Sequence, residues 1–131
     1  MKNILEYLEK TEQQYPCHTA LDDGIFVFTW KELAEISRQM GTAFAGKTEP
    51  GQPIVILAEK SSVTLAAMFG AVYAGCFYVV VEPSQPAQRI QEILNVLEPE
   101  LIVTNDRTRE LLVQIDYKRN TYLVKDAMNA Q

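Results

Sequence analysis

Histidine and cysteine are scarce in this sequence, with one histidine and two cysteines in 131 residues. The single histidine, His18, has no second histidine to join in a metal site. No nucleophile elbow surrounds Ser61 or Ser62, so no Ser/His or Cys/His catalytic arrangement can be assembled. Cys17 and Cys76 lie far apart in the chain and lack the number and spacing of a disulfide framework or a zinc knot. Both are read as free thiols in a reducing compartment. Positive charge is also short: 12 Lys and Arg stand against 17 Asp and Glu, a formal net charge of −5. The basic residues form no cluster, so nothing offers a phosphate backbone a binding surface, and nucleic acid is excluded as a partner. Long apolar runs are missing as well. The N-terminus, Met1 to Lys10, alternates charge with apolar residues and lacks the core of a signal peptide, and no later run reaches membrane-spanning length. The expectation is a soluble, cytoplasmic protein with no membrane partner. No internal repeat, low-complexity tract or long linker interrupts the chain.

What the sequence does have is material for a core. A hydrophobic content of 47% in a chain of this length predicts one α/β domain over residues 1–131. Ile4, Leu5 and Leu8 among Glu and Lys give a peripheral amphipathic helix that ends before Tyr15-Pro16, since proline disfavours helix in the residue before it. Asp22-Asp23-Gly24 predicts a tight hairpin between strands at Thr19–Leu21 and Ile25–Phe28. Thr29-Trp30-Lys31-Glu32 has the form of a capping box, opening a helix that turns Leu33, Ile36, Met40 and Phe44 inward. Pro50-Gly51 marks the next turn and Pro53–Leu57 the next strand. Ser61 or Ser62 then caps a helix with an expected inward stripe of Leu65, Met68, Phe69 and Val72.

The most informative run is Val72 to Ile90. Gly75 closes the preceding helix with a residue free to adopt positive φ, and Cys76 to Val81 is an unbroken apolar run suited to a strand covered on both faces. Pro83 and Pro86 stop that strand and set the turn into a helix from about Pro86 to Leu97, with Ile90, Ile93 and Leu94 inward. A strand at Leu101–Thr104, a helix capped by Asn105 or Asp106 and running through Ile115, and a strand at Thr121–Val124 complete the pattern. Strand and helix alternating at this spacing predict a three-layer α/β fold, a mostly parallel sheet with right-handed crossovers and helices on both faces.

Several motifs carry a functional and a structural reading. Gly41 to Thr48 has the letters G-x-x-x-x-G-K-[ST] of a phosphate-binding loop. That loop must leave a strand and enter a helix, whereas here a helical stripe precedes the motif and Glu49-Pro50-Gly51 breaks the chain after it. The structural reading is a helix C-terminus with Lys47 near its negative end. Asp22-Asp23 could be the acidic pair of a phospho-receiver domain, but no aspartate ends the middle strand to complete that site. His18 reads as a surface loop residue. Glu82, at the carboxyl end of an apolar strand, lies where doubly wound sheets bind ligands. Its proline-rich surroundings favour a structural role.

Three ordered segments resemble the opening motifs of the adenylate-forming, AMP-binding ligases: Phe28-Thr29-Trp30-Lys31-Glu32-Leu33, Pro50 to Ile56, and Ala74-Gly75 through Arg89-Ile90. The first is similar to that family's threonine-aromatic-x-glutamate-leucine motif. The last is similar to its alanine-glycine, tyrosine, proline-aspartate-proline run, with Val80 where the family usually has proline and Glu82 where it usually has aspartate. The resemblance covers about Leu5 to Val124. It is nearest to the amino-acid-activating branch, which holds peptide synthetase adenylation domains and the D-alanine ligase that loads a carrier protein; the start at Met1 favours the latter. The resemblance implies a complete enzyme that uses ATP and magnesium to form an aminoacyl-adenylate and passes the acyl group to a carrier-protein thiol. The family's phosphate loop, acidic residues and late lysine have no matching positions here. The expectation is therefore the N-terminal α/β portion of such a ligase, with no catalytic, cofactor-binding or metal residues and inactive alone. Its partner would be the remainder of the ligase, and isolated chains would self-associate. The alternative is a stand-alone, non-catalytic binding or interaction module derived from such an enzyme.

Overall fold

The computed structural model describes residues 4–114 and 121–128. Its elements, in chain order, are α1 (Ile4–Gln14), β1 (Thr19–Asp22), β2 (Val27–Thr29), α2 (Trp30–Ala45), β3 (Pro53–Leu57), α3 (Ser62–Tyr73), β4 (Phe77–Val81), α4 (Ala87–Leu97), β5 (Leu101–Thr104), α5 (Asp106–Gln114), β6 (Thr121–Leu123) and α6 (Val124–Met128). Strands β3 to β6 form a parallel sheet in the order β4-β3-β5-β6, while β1 and β2 make a separate antiparallel hairpin. Side chains alternate across the central strands and divide the core in two. Ile54, Ile56, Leu101 and Val103 face the layer of α1, α2, α3 and α6; Val55, Leu57 and Ile102 face Ile90 and Leu94 of α4 and Leu112 of α5. The fold is thus the expected three-layer α/β sandwich.

Local chemistry sets most of the boundaries. The Thr29 hydroxyl accepts from the Glu32 amide at 3.1 Å while the Glu32 carboxylate accepts from the Thr29 amide at 2.9 Å, a complete capping box for α2. Ser61 is the cap of α3, accepting from the Thr64 amide at 3.0 Å. Asn105 caps α5, accepting from the amides of Arg107 and Thr108. Gly75, at φ +78°, ends α3 as its position demanded. Helix α1 buries only Leu8 and is fastened by charge, Glu12 pairing with Arg38 of α2.

Four expectations are corrected. The hairpin is wider than Asp22-Asp23-Gly24 suggested: β2 begins at Val27, because Asp23 Oδ1 accepts from the amides of Ile25 and Phe26 and takes them out of the ladder. Leu65, Met68, Phe69 and Val72 are not the innermost face of α3. That face is Val63, Ala66, Ala67, Gly70 and Ala71, and the larger side chains are half-buried. The reason is the closeness of α2: a Cβ on Gly70 would stand 2.7 Å from the Met40 Cβ, and one on Gly41 2.5 Å from the Tyr73 Cβ, so only the small-residue face fits. Third, β4 is not covered on both faces. It forms the edge of the sheet, leaving Phe77 and Val80 exposed at 50% and 38%. Fourth, Val124 opens α6 instead of closing β6. The expected end of α5 at Ile115 lies outside the described residues.

Candidate functional site

The order β4-β3-β5-β6 places the reversal of winding between β3 and β5, and in open α/β sheets ligands enter the crevice beyond the carboxyl ends of the strands at such a point. A cavity of about 260 Å³ lies there. Its floor is apolar, formed by Ile56 and Ala58 from the β3 end, Val103 from β5, Val63 from α3, and Val124 and Met128 from α6. The β1–β2 loop contributes Ile25 and Phe26. Asp23, Glu59, Ser61, Asn105 and Lys125 supply the polar rim. Thr104 also borders the cavity, and its buried hydroxyl has no hydrogen-bond partner among the described residues. Alternation from Ile102 turns that side chain toward the α4–α5 layer.

The rim is wired internally. Asp23 Oδ2 accepts from the Ser62 amide at 2.8 Å, so the hairpin loop reaches across and occupies the amide end of α3. Hydrogen bonds from the backbone amides of Phe26, Ser62 and Ile25 hold the Asp23 carboxyl below the usual carboxylate value. The Ser62 hydroxyl donates to the Phe26 carbonyl at 3.2 Å, and the Thr64 hydroxyl donates to the Glu59 carbonyl at 2.7 Å. Glu59 accepts from Asn105 Nδ2 at 3.0 Å and lies 3.6 Å from Arg107. Lys125 lies 3.3 Å from Asp106.

This arrangement does not suit a polyphosphate or its metal. The Ser62 and Thr64 amides of α3 are spent on Asp23 and Ser61, and a phosphate here would face the carboxylates of Asp23 and Glu59. No group of three His, Cys, Asp or Glu able to hold a metal ion occurs among the described residues. Among the described residues the crevice offers an apolar floor with Asp23, Glu59, Ser61, Asn105 and Lys125 at its rim.

The other candidates resolve structurally. Gly41 to Ala45 belong to the last turns of α2, and Gly41 is there to admit Tyr73. Lys47 lies 4.7 Å from the ring centroid of Tyr122, and the Thr48 hydroxyl donates to the Phe44 carbonyl at 3.0 Å. An open cavity of about 700 Å³ adjoins this helix end, but its lining includes Glu49 and Glu100 and the helix presents carbonyls to it. Asp22 and Asp23 spend their carboxylates on backbone amides of their own loop and of α3. His18 is exposed, its ring 5.1 Å from that of Tyr15. Glu82 follows the edge strand, away from the β3/β5 crevice, and its carbonyl accepts from the Gln85 amide in the turn. Cys17 is exposed, Cys76 is buried, and both are free. Three rim residues of the crevice carry a sequence signal, Asp23 in the Asp22-Asp23 pair and Ser61 and Asn105 as candidate caps, but no motif joins them into one site.

A family model described as AMP-binding enzyme matches residues 8–129. Over 109 residues the chain is 32% identical to the nonribosomal peptide synthetase fmqA of Aspergillus fumigatus, covering 82% of this chain and 3% of that protein. Over 113 residues it is 28% identical to the D-alanine–D-alanyl carrier protein ligase of Staphylococcus aureus, covering 86% of this chain and 23% of that one. Its fold matches the N-terminal subdomain of Klebsiella oxytoca NpsA with a TM-score of 0.80 at 17% identity, over 98% of this chain and 33% of that one. The chain spans less than a quarter of the length of these curated relatives. No helix among the described residues is long and apolar enough to cross a membrane.

Proposed function

Because this chain belongs to the AMP-binding enzyme family and has the fold of its N-terminal portion, we propose that residues 1–131 form one structural unit of an ATP-dependent, amino-acid-activating ligase. The complete enzyme joins an amino acid to AMP and passes the aminoacyl group to a carrier-protein thiol in the cytoplasm. The observation that carries this reading is the family match over residues 8–129, a range that includes all three sequence motifs. Amino-acid activation is supported by similarity to peptide synthetases and to D-alanine ligases. D-alanine is therefore the first amino acid to test.

The role of this unit is support. ATP and magnesium bind to the remainder of the enzyme, since the β3/β5 crevice suits neither, and the isolated chain is inactive. The remainder covers apolar surface that is open here: the β4 edge with Phe77 and Val80, together with Val96 and Val113 at 84% and 75% exposure. Without it, chains associate through that surface. Light scattering across a concentration series should show mass above the monomer; a strictly monomeric mass contradicts this point.

The decisive experiment reads the gene beyond the codon for Gln131 and compares the two lengths in amino-acid-dependent ATP–pyrophosphate exchange. The expected result is exchange by the longer protein and none by residues 1–131. A stop codon at that point, with saturable ligand binding by the chain itself, would instead support a stand-alone binding module derived from such a ligase.

A further inference from the structure

The crevice between β3 and β5 carries an inference that does not depend on the ligase reading. At a switch point of this topology, the helix after the first strand usually turns free amides toward an anionic ligand. Here that helix is α3, and its positive end is already answered from within: the Ser62 amide donates to Asp23 at 2.8 Å and the Thr64 amide to Ser61 at 3.0 Å. Three backbone amides keep Asp23 ionised, and Glu59 adds a second carboxylate at the rim. Lys125, the cation of the lining, is paired with Asp106 at 3.3 Å, so an entering phosphate or carboxylate meets the carboxylates of Asp23 and Glu59 where such sheets usually offer donors.

The interior fits a different molecule. Ile56, Val63, Val103 and Val124 give an aliphatic floor, and Phe26 and Met128 flank it. A dry apolar cavity of roughly 150 Å³ accommodates one benzene ring. At about 260 Å³, this one has room for two fused rings. The Glu59 carboxylate stands at the rim as an acceptor, its side chain 40% exposed.

We propose that the β3/β5 crevice is a binding site for an uncharged, bicyclic-sized apolar molecule bearing a hydrogen-bond donor, with Asp23 as the residue that excludes anions. The apolar body displaces water from the aliphatic floor, and the donor meets Glu59 at the rim.

The test titrates the intact chain with indole while following the methyl NMR signals of Ile56, Val63 and Val103. Saturable shifts confined to those methyls are expected, with indole-3-acetate binding at least ~10-fold more weakly because its carboxylate faces Asp23 and Glu59. D23N should narrow that gap. A58M adds bulk to the crevice at a position only 7% exposed and should abolish indole binding. Should A58M fail to fold, I25S decides the matter. Ile25 is 85% exposed, so its replacement leaves the core intact, and the loss of lining should weaken indole about fourfold. Absence of saturable shifts, equal or tighter binding of indole-3-acetate, or binding indifferent to both A58M and I25S would overturn the proposal.

Discussion

The C-terminus of α2 carries the lettering of a phosphate loop, whereas the N-terminus of α3 occupies the place in the fold where a phosphate would sit. At the first, Gly41 to Thr48 run off the carbonyl end of a helix, and Lys47 lies over Tyr122. At the second, no glycine-rich motif appears, and the protein's own Asp23 fills the anion position. The difference shows that a helix end binds anions through the direction of its unpaired amides and their freedom from internal partners. Residue letters matter only through that geometry. The two ends differ by opposite routes: one directs carbonyls outward, and the other has its Ser62 and Thr64 amides taken by Asp23 and Ser61.

Four measurements sharpen the contrast. The largest effect should come from Gly41→Ala. In a phosphate loop this change would chiefly reduce nucleotide binding, but here the new Cβ stands 2.5 Å from the Tyr73 Cβ and forces α2 and α3 apart. Overpacking of that kind costs about 1–3 kcal/mol, and thermal unfolding should show a fall in Tm of several degrees. Next, Ser61→Ala removes the cap of α3 and should cost about 1 kcal/mol in denaturant unfolding, with the midpoint shifted and the slope unchanged. Smaller again is Lys47→Met. It loses the contact with Tyr122, worth roughly 0.5 kcal/mol at a surface site, and isothermal titration should find no nucleotide binding in either protein.

The subtlest test is acid titration. The Asp23 carboxyl is held below its ordinary value of 3.8, so the folded state binds this proton less readily than the unfolded chain. The stabilisation is complete above about pH 4 and is lost as pH falls through the depressed folded value. Protection of the Ser62 amide against exchange, corrected for the intrinsic pH dependence and measured from pH 5 downward, should fall over that interval in the wild type. In D23N the same amide should lack this step.

Legibility differed along the chain for physical reasons. Where short-range chemistry decides, the residues were nearly sufficient: the Thr29–Glu32 box and the positive φ of Gly75 act within a few residues of themselves, and the caps of α3 and α5 were narrowed to Ser61 or Ser62 and Asn105 or Asp106, of which the structure uses Ser61 and Asn105. Strand and helix alternation likewise specified the layers, and three ordered motifs pointed to the family that matches residues 8–129. Orientation was harder. Helix α3 is apolar around its circumference, so its periodicity has no single face to reveal, and the deciding contact lies across the fold at Gly41. The apolar run of β4 reads as buried, yet it lies at the sheet edge, since apolar composition does not record how many neighbours a strand has. The crevice was illegible because its lining is gathered from the hairpin loop, α3, α6 and the ends of β3 and β5.

By itself, then, the sequence determined the α/β alternation, the capping box of α2 and the family, because each depends on local pattern or on motifs kept in order. Only the tertiary structure decided which face of α3 is innermost, which strand is the edge, and that Asp23 occupies the amide end of α3. Those outcomes depend on distances between segments remote in the chain, and close packing admits one arrangement of them.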